Sequence, residues 1–260
     1  MKIKDDFSTF QAGLETSKLK IYKEILSAKD LTFITCGGNI GDDLIWAGTR
    51  QLLKPFEYKE ITKDGLQGLE GHTALITGSG GWCKAHGSMP KVLPEVEKRF
   101  ERVIILPSSY DIGLETVKQA LSQTRAKVFA REHVSYGMIK NLCDTELAYD
   151  CAFFFDFTPY KPQGKGKGEL LVYRTDGESA KQEKPAQNQD ISRRLGGNTL
   201  DRWLRTIAGY ETVRTDRAHV MVAAAMLGKK VYYSSSNYHK VPGIAKLSLA
   251  SFPVFPDSVK

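Results

Sequence analysis

The stretch LTFITCGGNIGDDLIWAGTRQL, Leu31–Leu52, decides the fold. Its first five residues, Leu31–Thr35, have the apolar and β-branched character of a short buried strand. A glycine-rich turn follows, Cys36-Gly37-Gly38-Asn39-Ile40-Gly41-Asp42-Asp43. Beyond it, Leu44, Ile45, Gly48 and Leu52 mark one face of a helix. Strand, glycine turn and helix in that order open a parallel α/β sheet. The turn is not a dinucleotide fingerprint, because Cys36 stands where a glycine is needed, and it lacks the lysine of a P-loop. It serves either as a tight strand-to-helix connection or as a ligand contact through Gly38, Asn39 and Gly41, whose backbone a ligand can approach closely. Asp42 and Asp43 stand where the helix begins, and either can cap it. Asp42 has the better claim to chemistry, as a base toward a hydroxyl.

Upstream, Leu14, Leu19, Tyr22, Ile25 and Leu26 fall near helical spacing, which predicts a helix in the first thirty residues. Downstream the theme repeats. Strands are expected at Phe56–Ile61, Ala74–Thr77, Val103–Leu106, Lys127–Ala130 and Ala148–Phe155. Helices are expected at Val92–Phe100, Leu114–Gln123 and Ser135–Leu142. The alternation predicts a doubly wound parallel sheet, with the turns after its strands gathered at the carboxyl edge, where such sheets bind ligands. Gly78-Ser79-Gly80-Gly81 is either an anion-binding nest containing Gly80 or a turn that lets Trp82 pack. Pro107-Ser108-Ser109 ends another strand and places Ser109 at that edge. Arg131 follows a strand and either points into a cleft or forms a surface ion pair with Glu132.

At Lys161–Gly168 the composition changes to a basic, glycine-rich hinge. A second unit follows, with strands at Leu170–Arg174, Thr212–Arg214 and Lys230–Tyr233. Its helices are expected at Leu200–Ala208, Asp216–Leu227 and Lys240–Leu249, and Ser179–Gln189 reads as a surface loop. The expected domains are 1–160 and a smaller 161–260. Within the second, Arg214-Thr215-Asp216-Arg217-Ala218-His219 precedes an apolar run expected to be a buried helix. Free N–H groups and the macrodipole favour an anion at such a helix start. The Arg217 fork matches phosphate or carboxylate, and His219 can move a proton near neutral pH. Ser235 and Lys240 lie in or beside a polar loop after the last strand.

The chain of 260 residues carries a net charge of +7, which suits anionic partners. The basic residues are dispersed and no zinc-finger or RNP-type motif occurs, so nucleic acid is not expected. Four cysteines without a CxxC pair argue against a zinc or thioredoxin-like site. No HxxxH pattern occurs, and neither a metal nor a cofactor is expected. No stretch is apolar enough for a signal core or a membrane span. A cytoplasmic protein is therefore expected, with contact at the inner face of an anionic membrane left open by its charge.

Five pieces together resemble the polysaccharide pyruvyl transferase family: GGNIGDDLIWAG, LITGSGG, VIILPSSYDI, VFAREHVSYGMIKNL and TDRAHVMVAAAMLGKKVYYSSSNYHK. They run in family order from about Leu31 to Lys240. The resemblance implies a GT-B-like fold of two Rossmann-like units with parallel sheets, the C-terminal one small. It implies transfer of pyruvate from phosphoenolpyruvate to two hydroxyls of a saccharide or lipid-linked oligosaccharide, closing a cyclic ketal. The functional positions it implies fall on Asp42, Arg131, Arg217, His219 and Lys240. A nucleotide-sugar glycosyltransferase, or an inactive glycan-binding relative, is the competing expectation. The polar stretch 164–197 matches no family feature.

Overall fold

The computed structural model describes residues 3–164, 166–180, 183–194 and 196–257. Lys165 of the expected hinge, and Lys181, Gln182 and Leu195 of the polar stretch, lie outside the described residues. The chain forms two compact units, one of residues 12–37 and 45–154, the other of residues 1–11, 38–44 and 155–260. The glycine turn after the first strand thus belongs mostly with the C-terminal unit.

The N-terminal unit is built on a six-stranded parallel sheet. Its strands are β1 (Leu31–Thr35), β2 (Lys59–Thr62), β3 (Gly71–Ile76), β4 (Phe100–Ser108), β5 (Lys127–Ala130) and β6 (Thr145–Leu147), in the order β2-β1-β3-β4-β5-β6. The helices are α1 (Ile3–Ile25), α2 (Ile40–Leu52), α3 (Met89–Glu97), α4 (Glu115–Gln123) and α5 (His133–Ile139). The first turns of α1 and α2 belong to the other unit. The order reverses between β1 and β3, and the glycine segments at Gly37 and Gly78–Gly81 leave the strands on either side of that switch point. The four central strands, β1, β3, β4 and β5, bury side chains on both faces. Ile34, Ile76, Ile105 and Val128 join α3 and α4 in one core, while Phe33, Leu75, Ile104 and Phe129 are equally buried on the other side.

One expected strand is absent. Ala148–Phe155 was read as a last buried strand, but β6 ends at Leu147 and Cys151–Phe154 is a short 3-10 helix. Asp150 turns the chain there, its carboxylate accepting from Ala152 N at 2.8 Å and its carbonyl from Phe153 N at 3.0 Å. A short apolar run reads the same whether it is buried as strand or as helix, so periodicity could not separate them.

The C-terminal unit carries a four-stranded parallel sheet of β7 (Glu169–Val172), β8 (Thr212–Thr215), β9 (Lys230–Tyr233) and β10 (Val254–Pro256). The short edge strand β10 was not expected. The order is sequential, so right-handed crossovers put α6 (Leu200–Ala208), α7 (Ala218–Met226) and α8 (Lys240–Ser248) on one face. Helix α7 is the middle helix of that layer, against β8, β9, α6 and α8. This explains its composition: Val220–Ala225 are all buried, with no polar side to turn outward. The free edge of β7 is closed by the polar stretch, through Gln189 N to Leu171 O and the Asn188 side chain on the backbone of Tyr173. Among the described residues, no helix is long and apolar enough to cross a membrane.

Candidate active site

The start of α7 is assembled from the end of β8. Thr215 Oγ1 donates to Val172 O at 2.7 Å and accepts from Arg217 N at 2.9 Å, which turns the chain out of the sheet. Asp216 Oδ1 accepts from Arg174 N at 2.7 Å, while its Oδ2 is buried without a hydrogen-bond partner. Burial raises the Asp216 pKa above the usual carboxylate range, against the pull of Arg174 and Arg217.

Arg217 is 3% exposed. Its Nε and Nη2 each donate to Asp190 at 2.6 Å, and Nη2 also reaches Asp176 at 3.1 Å. Its Nη1 is buried with no hydrogen-bond partner. Asp176 in turn accepts from Arg174 at 2.8 and 3.0 Å, and Arg174 pairs with Glu178 at 2.8 Å. Glu178, fully buried, also pairs with Lys240 at the start of α8. One ionic network therefore joins the two expected cations, Arg217 and Lys240. Burial opposes ionisation of Asp176, but the two arginines outweigh it and hold its pKa at about 2. Asp190 is likewise held below its ordinary value despite burial, by Arg217 and by hydrogen bonds from Thr175.

His219 sits in the first turn of α7 and is half-buried. The glycine turn packs directly on it. A Cβ placed on Gly41 would stand 2.9 Å from His219 Cβ and 3.1 Å from its Nδ1. The turn itself is a reciprocal cap: Asn39 Oδ1 accepts from Gly41 N, and Asp42 Oδ2 accepts from Asn39 N, both at 2.7 Å. Gly38 has no Cβ because the Asp42 carboxylate occupies that space, 2.2 Å from where one would be. Gly38, Asn39, Gly41, Asp42 and His219 are thus gathered in one place. One Asp42 oxygen is committed to the helix start, the capping role that the sequence left beside the catalytic one.

The N-terminal unit holds a group of its own expected residues. Arg131, 1% exposed, donates through Nε to Ser109 Oγ at 2.9 Å and pairs through Nη1 with the fully buried Asp150 at 2.8 Å. It is a buried cation with Asp150 as its counter-ion, not a surface one. Glu132 instead caps α5, accepting from Val134 N at 2.7 Å and Ser135 N at 3.0 Å. The buried Asp150 counter-ion is what lets Arg131 sit in the interior. In the Gly78–Gly81 turn, Ser108 Oγ satisfies Ser79 N and Ser79 Oγ satisfies Gly81 N. The Gly80 carbonyl accepts from Cys83 Sγ, and Trp82 is wholly buried against Tyr110. Ser235 is exposed on the loop after β9.

Arg174, Asp176, Glu178, Asp190 and Arg194 were not anticipated. The alternation Arg174-Thr175-Asp176-Gly177-Glu178 at a strand end was the available signal, but nothing local says which arginine each carboxylate meets. Among the described residues, no group of three or more His, Cys, Asp or Glu side chains is placed to hold a metal ion.

The family model for polysaccharide pyruvyl transferase matches residues 39–238. Among solved structures, a functionally uncharacterized protein from Klebsiella pneumoniae subsp. pneumoniae NTUH-K2044 superposes with a TM-score of 0.72 at 23% identity, covering 89% of this chain and 92% of that one. That likeness concerns the fold. No curated protein matches the chain.

Proposed function

From the premise that this chain belongs to the polysaccharide pyruvyl transferase family, we propose that it transfers pyruvate from phosphoenolpyruvate to two hydroxyls of one sugar as a cyclic ketal. The acceptor is a cell-surface polysaccharide or its lipid-linked precursor, met on the cytoplasmic side of the membrane. One observation carries this reading. His219 stands at the start of α7, under Gly41, two residues from an arginine whose Nη1 is buried and unpartnered.

An anionic donor satisfies that nitrogen, and a charge-assisted bond from guanidinium to phosphate or carboxylate is among the stronger hydrogen bonds available to a protein. The α7 N-terminus favours the same charge. The other Arg217 nitrogens stay with Asp190 and Asp176, so the side chain is braced before the donor arrives. A proton delivered to C3 of the enol makes C2 electrophilic. One sugar hydroxyl adds to C2 and loses its proton, the C2–O bond to phosphate breaks, and the neighbouring hydroxyl closes the ketal. His219 handles the proton, as acid toward C3 or base toward a hydroxyl. Asp42 orients the acceptor with the carboxylate oxygen that does not cap the helix. Arg131, held by Asp150 and Ser109, acts as a buried brace of the N-terminal unit.

The test is incubation with phosphoenolpyruvate and candidate glycans, followed by mass spectrometry. Expected are release of inorganic phosphate and a product heavier by pyruvate less water. Release of a nucleoside diphosphate from a nucleotide sugar would replace this assignment with glycosyl transfer.

A further inference from the structure

Three alternate residues of the polar stretch between β7 and α6 tie down both segments that frame His219. Asp190, with its side chain 5% exposed, grips Arg217 through two bonds of 2.6 Å and so fixes the residue that leads into α7. The Ser192 carbonyl accepts from Ile40 N at 3.0 Å. Arg194 donates through Nε to Gly38 O at 2.9 Å and pairs through Nη2 with Asp43. One five-residue turn, Asp190–Arg194, thus clamps the glycine turn and the α7 entry. Between them, Gly41 meets the imidazole with no room for a methyl group.

We propose that Arg194 and Asp190 are positioning residues for His219, Arg194 by holding the Gly38–Asp43 turn over the imidazole and Asp190 by holding Arg217 before α7. The role of His219 in transfer rests on the pyruvyl-transfer reading, whereas its placement by Arg194 does not. Two features make Arg194 the informative member. Its side chain is 47% exposed, so replacing it leaves the core of the unit intact. It makes two contacts on the turn, one on backbone and one on the acidic residue in the first turn of α2. The fork geometry is needed to make both at once.

The experiment compares wild type, Arg194→Ala, Arg194→Lys and Asp190→Asn by the rate at which diethyl pyrocarbonate acylates each histidine, read by peptide mass spectrometry. In Arg194→Ala the turn loosens and His219 reacts several-fold faster, while His72, His86, His133 and His239 keep their rates. Arg194→Lys keeps a cation for Asp43 but not the second bond, and falls between. Asp190→Asn keeps the shape with a weaker grip on Arg217 and also raises His219 reactivity. With phosphoenolpyruvate as donor, Arg194→Ala lowers kcat and leaves KM for the donor near that of wild type, because the donor contact at Arg217 is untouched. Unchanged His219 reactivity in folded Arg194→Ala overturns the proposal, as does an equal acceleration at all five histidines, which would mark general destabilisation. If wild type forms no ketal, the transfer reading fails, and the acylation rates still decide the positioning role.

Discussion

Arg217 and Asp190 lie 27 positions apart and face each other with two parallel hydrogen bonds of 2.6 Å, their side chains 4% and 5% exposed. Removing either charge alone leaves the other in the interior without its main partner. Replacing Asp190 with alanine should therefore destabilise the protein by about 3–5 kcal/mol, the usual consequence of breaking a buried pair from one side. Urea unfolding of Asp190→Ala against wild type measures this, and a change within error would mean that water reaches the pair.

Arg131 and Asp150 pose the same question in the other unit, with still less exposure, 1% and 0%. Arg131→Met should cost about 3–5 kcal/mol, whereas Arg131→Met with Asp150→Leu should recover much of that, since the doubly apolar pair leaves no orphaned ion. The comparison is a double-mutant cycle in urea.

Acid should weaken the C-terminal network over a defined window. The folded-state pKa of Asp176 lies at about 2, below its ordinary 3.8. A carboxylate depressed in the folded state contributes stability that is complete above its unfolded pKa and lost as pH falls through the folded one. Melting temperature should therefore fall between about pH 4 and pH 2, with part of the slope missing in Asp176→Asn. A slope unaltered by that substitution would place the acid-sensitive group elsewhere.

His219→Ala should reduce turnover by roughly 10²–10⁴-fold if the imidazole moves the proton. Steady-state rates of phosphate release with phosphoenolpyruvate and an accepted glycan measure it. Normal rates in a folded variant would take His219 out of the chemistry.

Gly41→Ala separates helix stability from site geometry. Alanine is favoured over glycine inside a helix by about 1 kcal/mol, yet its methyl group would meet His219 Cβ at 2.9 Å. The expected variant melts near wild type and loses activity, because the imidazole must move. Full activity would show that the turn can shift without cost.

The sheet architecture was legible because buried parallel strands and their glycine turns leave local patterns. Lys127–Ala130, Leu200–Ala208 and Lys230–Tyr233 were read with the bounds they have in the structure. The apolar run after His219 likewise announced a buried helix. The polar stretch 164–197 announced nothing, since its charges have no periodic partner along the chain.

Composition and pattern along the chain determined that this protein is built from two parallel α/β units, and that Gly41, Arg217 and His219 stand at helix starts after strands. Only the tertiary structure decided which charges meet. It put Asp190 on Arg217, Glu178 on Lys240, Asp150 on Arg131 and Arg194 on the Gly38–Asp43 turn. The physical reason is range: backbone propensity and hydrophobic period act over a few neighbouring residues, whereas an ion pair forms wherever folding brings two side chains together. A buried arginine needs a carboxylate, but nothing in its neighbours along the chain says which one.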